Sequence, residues 1–275
     1  SDSKVVQVAE VHEDEGRRLT QIVELYADEC RSTNKWKGRT EAESLSTFQL
    51  IVRILGDVPI NTIKRQDIAE FKSTIMKLPP NLNKKPEYRD KTIPEVIRYV
   101  EKHKREKLSL VTVKKYLMRV NALFDFAEIH GYIDSNPARG ISVNVKKADK
   151  IVVAPFTEAE FGKLYNSDAA LKYKFRYPWQ PWFLAIAPLT GCRLEEMAQL
   201  YLSDIRQEEG LWVLDINDDA PDKTLKTEAA NRLIPLHPFL IDDLGLIEFV
   251  EKLKKRGEQR LFPDLKLQSK GGFGR

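Results

Sequence analysis

The stretch LVTVKKYLMRVNALFDFAEIHG, residues 110–131, restricts the fold of this chain more than any other. Val113, Leu117, Val120, Phe124 and Ala127 recur at helical spacing, which predicts one long helix with an unbroken apolar stripe. Gly131 supplies the stop. Such a stripe has to be buried against other helices, because packing rather than propensity stabilises most protein helices. The upstream sequence offers the partners. Residues 17–29 and 42–55 carry the same period, the second with Leu45, Phe48, Ile51, Val52 and Leu55 on one face and Gly56 as a left-handed C-cap. Asp67, followed by Glu70, reads as the capping start of a third helix reaching about Met76. A shorter helix is expected over 94–103, after a loop rich in Pro, Asn and Lys, LPPNLNKKPEYRDKTIP.

The pattern changes after DSNPARG. Residues 141–155, ending in KIVVAP, read as an extended linker between two domains: a helical one at 17–140, preceded by an acidic segment at 1–16, and a second at 156–275. In FTEAEF, Thr157 and Glu160 form a capping box with Phe156 and Phe161 at the staple positions, so helix restarts there. A helix over about 180–189 ends at the turn Thr190-Gly191. The next one is expected to hold Arg193 in its first turn and to bury Leu194, Met197, Ala198 and Tyr201. LWVLDI and RLIPLH read as two strands joined by the long turn NDDAPDKTLKTEAAN, and a last helix runs over roughly 238–256. The expected class is mainly α with a small β-sheet, α+β.

The formal net charge of +4 hides an uneven distribution. Residues 32–150 hold 24 Lys and Arg against 14 Asp and Glu, whereas residues 1–31 hold 4 against 8. A basic middle segment points to a polyanionic partner or to an ordinary solvated surface. Thr112, Lys115 and Arg119 share one face of the long helix, and the same two readings apply: a solvated face, or a strip of donors to a DNA backbone. The longest apolar run, PWFLAIAPL, is too short to cross a bilayer, and no signal peptide is visible. Cys30 and Cys192 are isolated, which excludes a disulfide framework and fits a reducing cytoplasm. His12, His103, His130 and His237 are scattered, so no metal-binding spacing is present. Trp179, Trp182 and Cys192 read as packing residues, and Asp204 as a cap.

Arg193 and Glu196 stand three apart after a tight turn. They form an ordinary capping ion pair, or a phosphate-gripping arginine steadied by a carboxylate. Lys223 and Lys226, in the long turn, are two candidates for a proton donor to a departing oxygen. An arginine and a lysine around one phosphate are the minimum for electrostatic stabilisation of phosphoryl transfer.

Several stretches of the chain resemble a known family. T-G-x-R-x-x-E-x-x-x-L, at Thr190, Gly191, Arg193, Glu196 and Leu200, is similar to the first active-site box of the tyrosine recombinases, or phage integrases. KTEAANRLIPL at 226–236 looks like their β-hairpin lysine segment, and LHPFL and RLFPDL follow in the family's order. GDVPINTIKRQDIAEF and VTVKKYLMRVNALFDFAEIHGYIDSNPA resemble their SAM-like helical core-binding domain. The resemblance implies a site-specific recombinase of a phage or other mobile element, associated with DNA in the cytoplasm, that grips a double-stranded attachment site as a tetramer. It implies strand cleavage through a 3′-phosphotyrosyl link, with no cofactor, metal or membrane. Arg193 would neutralise a non-bridging oxygen, Lys226 would protonate the leaving 5′-oxygen, and Glu196 would support the arginine. The K-T…R-x-I-P-L register favours Lys226 over Lys223.

The chain also departs from the family. No histidine has an arginine three residues on, and the last tyrosine, Tyr201, comes too early to be the nucleophile. The chain starts without Met and stops at SKGGFGR, which reads as a fragment whose longer parent is the enzyme, an incomplete catalytic domain able to bind DNA but not to cleave it. The alternatives are a non-catalytic DNA-binding protein on a degenerate recombinase fold, and a helical scaffold whose basic domain is only soluble surface.

Overall fold

The computed structural model describes residues 16–36, 38–146, 154–268 and 272–273. The chain divides into two compact units, one ending at Val153 and the other beginning at Ala154. The acidic segment before Gly16 and the stretch 147–153 lie outside the described residues.

The first unit is helical: α1 (Leu19–Ser32), α2 (Gly38–Leu55), α3 (Arg65–Ile75), α4 (Ile93–Lys102) and α5 (Leu110–Ile129). α5 touches α1, α2 and α3, and all five predicted stripe residues, from Val113 to Ala127, are buried. Ser109 caps its start, its Oγ accepting the Thr112 N–H at 3.3 Å, and the chain leaves through Gly131 at φ 71°. α2 likewise ends at Leu55 before Gly56, at φ 84°. Phe48 and Ile51 of its stripe are buried, and Leu45, Val52 and Leu55 pack against the core.

The third helix starts earlier than the sequence predicts. Lys64 is its N-cap, and Asp67 stands at the third helical position, its Oδ2 accepting the Lys64 N–H at 2.7 Å. The carboxylate cap is real, but it reaches back from inside the helix rather than opening it. The expected linker also differs at its start. Val143 is buried against the first core, and Lys72 Nζ donates to the Ser142 carbonyl at 2.7 Å, so the chain around 142–143 is docked on the first unit. Asn136 ties the preceding turn to α5. Its Nδ2 donates to Asp125 Oδ1 at 2.8 Å, and its Oδ1 accepts the Ala138 N–H at 2.7 Å.

The second unit opens with α6 (Glu158–Tyr165), α7 (Asp168–Leu171), α8 (Trp179–Thr190) and α9 (Leu194–Ala198). The capping box at Thr157 is formed, with Glu160 Oε2 accepting the Thr157 N–H at 2.8 Å, and the Phe156 and Phe161 rings lie 5.4 Å apart. A three-stranded antiparallel sheet follows in the order β1 (Ile205–Glu208), β2 (Leu211–Ile216), β3 (Arg232–Pro235). Leu214 pairs with Ile205 on one side and with Ile234 on the other. β1 carries no alternating pattern, since only Ile205 is buried, and the sequence does not announce it. Its hairpin turn to β2 is Glu209-Gly210, both at positive φ. The expected last helix is two pieces. A π-helical turn, Phe239–Asp243, leads to Gly245 at φ 65°, and α10 (Leu246–Lys255) starts there. Trp179 and Trp182 pack on the second core, Trp182 stacking on Phe249 at 4.8 Å. Among the described residues no helix is long and apolar enough to cross a membrane.

Phe124 is fully buried at the centre of α5. Phe124→Ala is expected to lower the stability of the first unit by about 3–5 kcal/mol, read as faster amide exchange in α1, α2 and α5. Exchange at the wild-type rate would show that this ring does not hold the helices together.

Candidate functional site

The turn at Thr190-Gly191 is built by backbone geometry. Gly191, at φ 65°, donates its N–H to the Ala187 carbonyl at 2.9 Å and ends α8 in the left-handed conformation that a side chain resists. The Cys192 N–H donates to Thr190 Oγ1 at 3.3 Å. The chain is then extended at Arg193, which is the N-cap of α9 and not a residue of its first turn. α9 is short, so Leu194 is 52% exposed and Tyr201 only half-buried, against the expectation that both are core; Met197 and Ala198 are buried.

Glu196 is the hub of the site. Its side chain is 4% exposed. Oε2 accepts the Arg193 N–H at 3.0 Å and Arg232 Nη2 at 2.9 Å, and Oε1 accepts Arg193 Nη1 at 2.5 Å. Burial alone would raise this carboxyl. The bonds from Arg232, from the Arg193 backbone and from the Arg193 guanidinium outweigh burial and hold it below its ordinary value. The Arg193 side chain remains 58% exposed although its backbone N–H and its Nη1 both bond to Glu196. Arg232 is a site residue that the sequence reading missed. It lies on β3 inside the R-x-I-P-L segment, but only the fold brings it to Glu196.

The two lysine candidates have different surroundings. Lys223 is buried, its Nζ 3.0 Å from both carboxylate oxygens of Asp204 and bonded to Asn217 Oδ1. An ammonium locked in that ion pair is a structural element. Asp204 also caps the turn at Tyr201, accepting its N–H at 2.7 Å. Lys226 is exposed, in the connection 217–231 between β2 and β3. That connection is tied to the residue ending α9: Gln199 Oε1 accepts the Thr224 N–H at 2.9 Å, and Gln199 Nε2 donates to the Thr224 carbonyl at 3.2 Å.

Tyr201 is committed elsewhere. Its hydroxyl donates to Asp222 Oδ1 at 2.8 Å, and the Arg260 guanidinium lies 4.3 Å from the ring centroid. The bond to Asp222 pushes the phenol up from its ordinary value. Burial pushes the Cys192 thiol up as well, in keeping with a packing role.

In the first unit Thr112 and Lys115 lie on the predicted face of α5, Lys115 exposed and Thr112 half-buried. Arg119 turns inward. Its Nη2 meets Glu43 Oε2 at 2.5 Å and its Nη1 meets Thr47 Oγ1 at 3.3 Å, with the side chain 20% exposed. It ties α5 to α2 rather than standing free beside Lys115. Among the described residues no three His, Cys, Asp or Glu side chains gather to hold a metal ion.

No protein-family model matches the chain. Over 149 residues it is 32% identical to IntQ of Escherichia coli (strain K12), a protein described as defective; the match covers 54% of this chain and 35% of IntQ. A lambda integrase dimer bound to a COC′ core site superposes with a TM-score of 0.55 at 20% identity, over 95% of this chain and 61% of that one. The Tn1549 transposon integrase in complex with a circular intermediate DNA gives 0.53 at 18% identity, over 82% and 65%. The chain thus spans about a third of IntQ and less than two thirds of each integrase. Its fold is that of the tyrosine-recombinase integrases.

The contrast between the lysines is measurable. Lys223→Ala leaves the Asp204 carboxylate buried without its cation and is expected to cost about 3–5 kcal/mol in urea unfolding. Lys226→Ala is expected to stay within about 0.5 kcal/mol of wild type. Equal losses would mean that the two lysines share one environment. For Glu196 the lowered folded value contributes stability that is complete above the ordinary carboxyl range, about 4.3, and is lost as pH falls through the folded value. The gap in urea midpoint between wild type and Glu196→Gln is therefore expected to be widest at neutral pH and to close on acidification. A gap independent of pH would remove the charge from the account.

Proposed function

We propose that the chain binds double-stranded DNA and carries the arginine, glutamate and lysine part of a site-specific recombinase active site. Arg193 grips a non-bridging oxygen of the scissile phosphate, Glu196 steadies the guanidinium, and Lys226 delivers a proton to the departing 5′-oxygen. The observation that carries this reading is the state of Arg193: anchored through a buried carboxylate, yet more than half exposed to whatever approaches. The first unit contributes phosphate contacts from Thr112 and Lys115, with Arg119 bracing α5 against α2. Oligomers on DNA, as in the lambda integrase dimer and tetramer complexes, follow from the same reading.

Within these 275 residues no histidine precedes an arginine by three, and Tyr201 has its hydroxyl occupied by Asp222. We therefore assign strand cleavage to a longer polypeptide and DNA binding to these residues. One observation favours a second reading, a DNA-binding protein without catalysis: its relative IntQ is described as defective.

The test is a salt titration of binding to a short mixed-sequence duplex. The affinity is expected to fall linearly in log K against log[salt]. Each of Lys115→Ala, Arg193→Ala and Lys226→Ala is expected to reduce the slope by about 0.9 for every phosphate no longer neutralised. A flat titration of the wild-type chain would leave the helical scaffold as the better account.

A further inference from the structure

The connection 217–231 is too long to present a lysine at a defined place unless something holds it. On the side preceding Lys226 the anchors are dense. Asp222 pairs with Arg260, Lys223 is buried with Asp204, and Gln199 satisfies both backbone groups of Thr224. Gln199 is itself 1% exposed, and Arg260 Nη1 donates to its carbonyl at 2.9 Å, so the clamp sits on a fixed base. On the side following Lys226, Arg232 Nη1 donates to the Ala230 carbonyl at 2.7 Å while Nη2 holds Glu196. Leu225 and Ala230 are buried in the second core. The span around the lysine is therefore short and pinned at residues 224 and 230.

We infer that Gln199 and Arg232 are positioning residues for Lys226, fixing the connection to α9 on either side of the lysine and so tying its ammonium to the helix that Arg193 caps and that carries Glu196. The inference rests on the role proposed above for Lys226. Its physical content is preorganisation: a short span with fixed ends confines the ammonium to a small volume, which raises its effective concentration at one place. Arg232 couples the two halves, because one guanidinium joins the carboxylate beneath Arg193 to the end of the lysine span.

The experiment uses the 275-residue chain and two readouts. The first needs no DNA. Gln199→Met keeps length and bulk but removes both hydrogen bonds, so exchange of the Thr224 amide is expected to rise at least about tenfold while amides of β1 and β2 keep their rates. The second is the duplex salt titration. Gln199→Met is expected to lower the slope as Lys226→Ala does, and the double variant to fall no further than Lys226→Ala alone, since a mispositioned lysine and a missing one leave the same phosphate without its cation. Arg232→Lys keeps a cation beside Glu196 but gives up the fork that also reaches Ala230, and is expected to show the same non-additivity with Lys226→Ala. It also decides the matter should Gln199→Met not fold. Unchanged Thr224 exchange, a uniform rise across the second unit, or additive reductions in slope would each overturn the inference while Lys226→Ala still lowers the slope. If Lys226→Ala leaves the slope intact, the proposed role of Lys226 falls first and the inference with it.

Discussion

A carboxylate taken out of water needs cationic and hydrogen-bonded partners, and Glu196 draws its own from two separate segments of the second unit. From the turn after α8 it takes the backbone and the guanidinium of Arg193, and from β3 it takes Arg232. The interaction therefore does more than cap a short helix. It ties β3 to the turn after α8, and it leaves the Arg193 side chain more than half exposed. A buried ion pair of this kind is weak evidence for stability as such, because desolvation cancels much of the attraction. What it does supply is geometry, since an arginine that swings away leaves the buried carboxylate with one cation fewer.

Electrostatics also separates the two lysines of the connection. Lys223 and Lys226 are near neighbours in the chain, yet one ammonium is enclosed with Asp204 and Asn217 and the other faces solvent. An enclosed cation is part of the scaffold. An exposed one, on a span tethered at both ends, is free to meet a ligand. The enclosed lysine thus helps to hold the exposed one, alongside Gln199 and Arg232.

The first unit shows the same division of labour on a helix face. Lys115 is exposed, whereas Arg119, one turn on, spends its charge on Glu43 and joins α5 to α2. The buried Asn136 fastens the following turn to Asp125 of α5. Polar side chains here set the register of helices whose apolar stripes supply the burial.

Elements whose signal is local were legible in the sequence: the α5 stripe, the glycine stops at Gly56, Gly131 and Gly191, the capping box at Thr157, and the strands LWVLDI and RLIPLH. The pairing of Arg193 with Glu196 was legible too, because three residues of spacing after a turn bring them together whatever else the chain does. Elements that depend on distant partners were not. β1 exists because β2 pairs with it, Arg119 turns inward because Glu43 comes from another helix, and Gly245 breaks the last helix where a periodic reading continues it. The site divides along the same line. The sequence by itself determined the arginine, its carboxylate and two candidate lysines. Only the tertiary structure decided which lysine is enclosed, that Arg232 meets Glu196 and that Gln199 holds Thr224, because burial and hydrogen bonding between segments far apart in the chain leave no periodic trace in it.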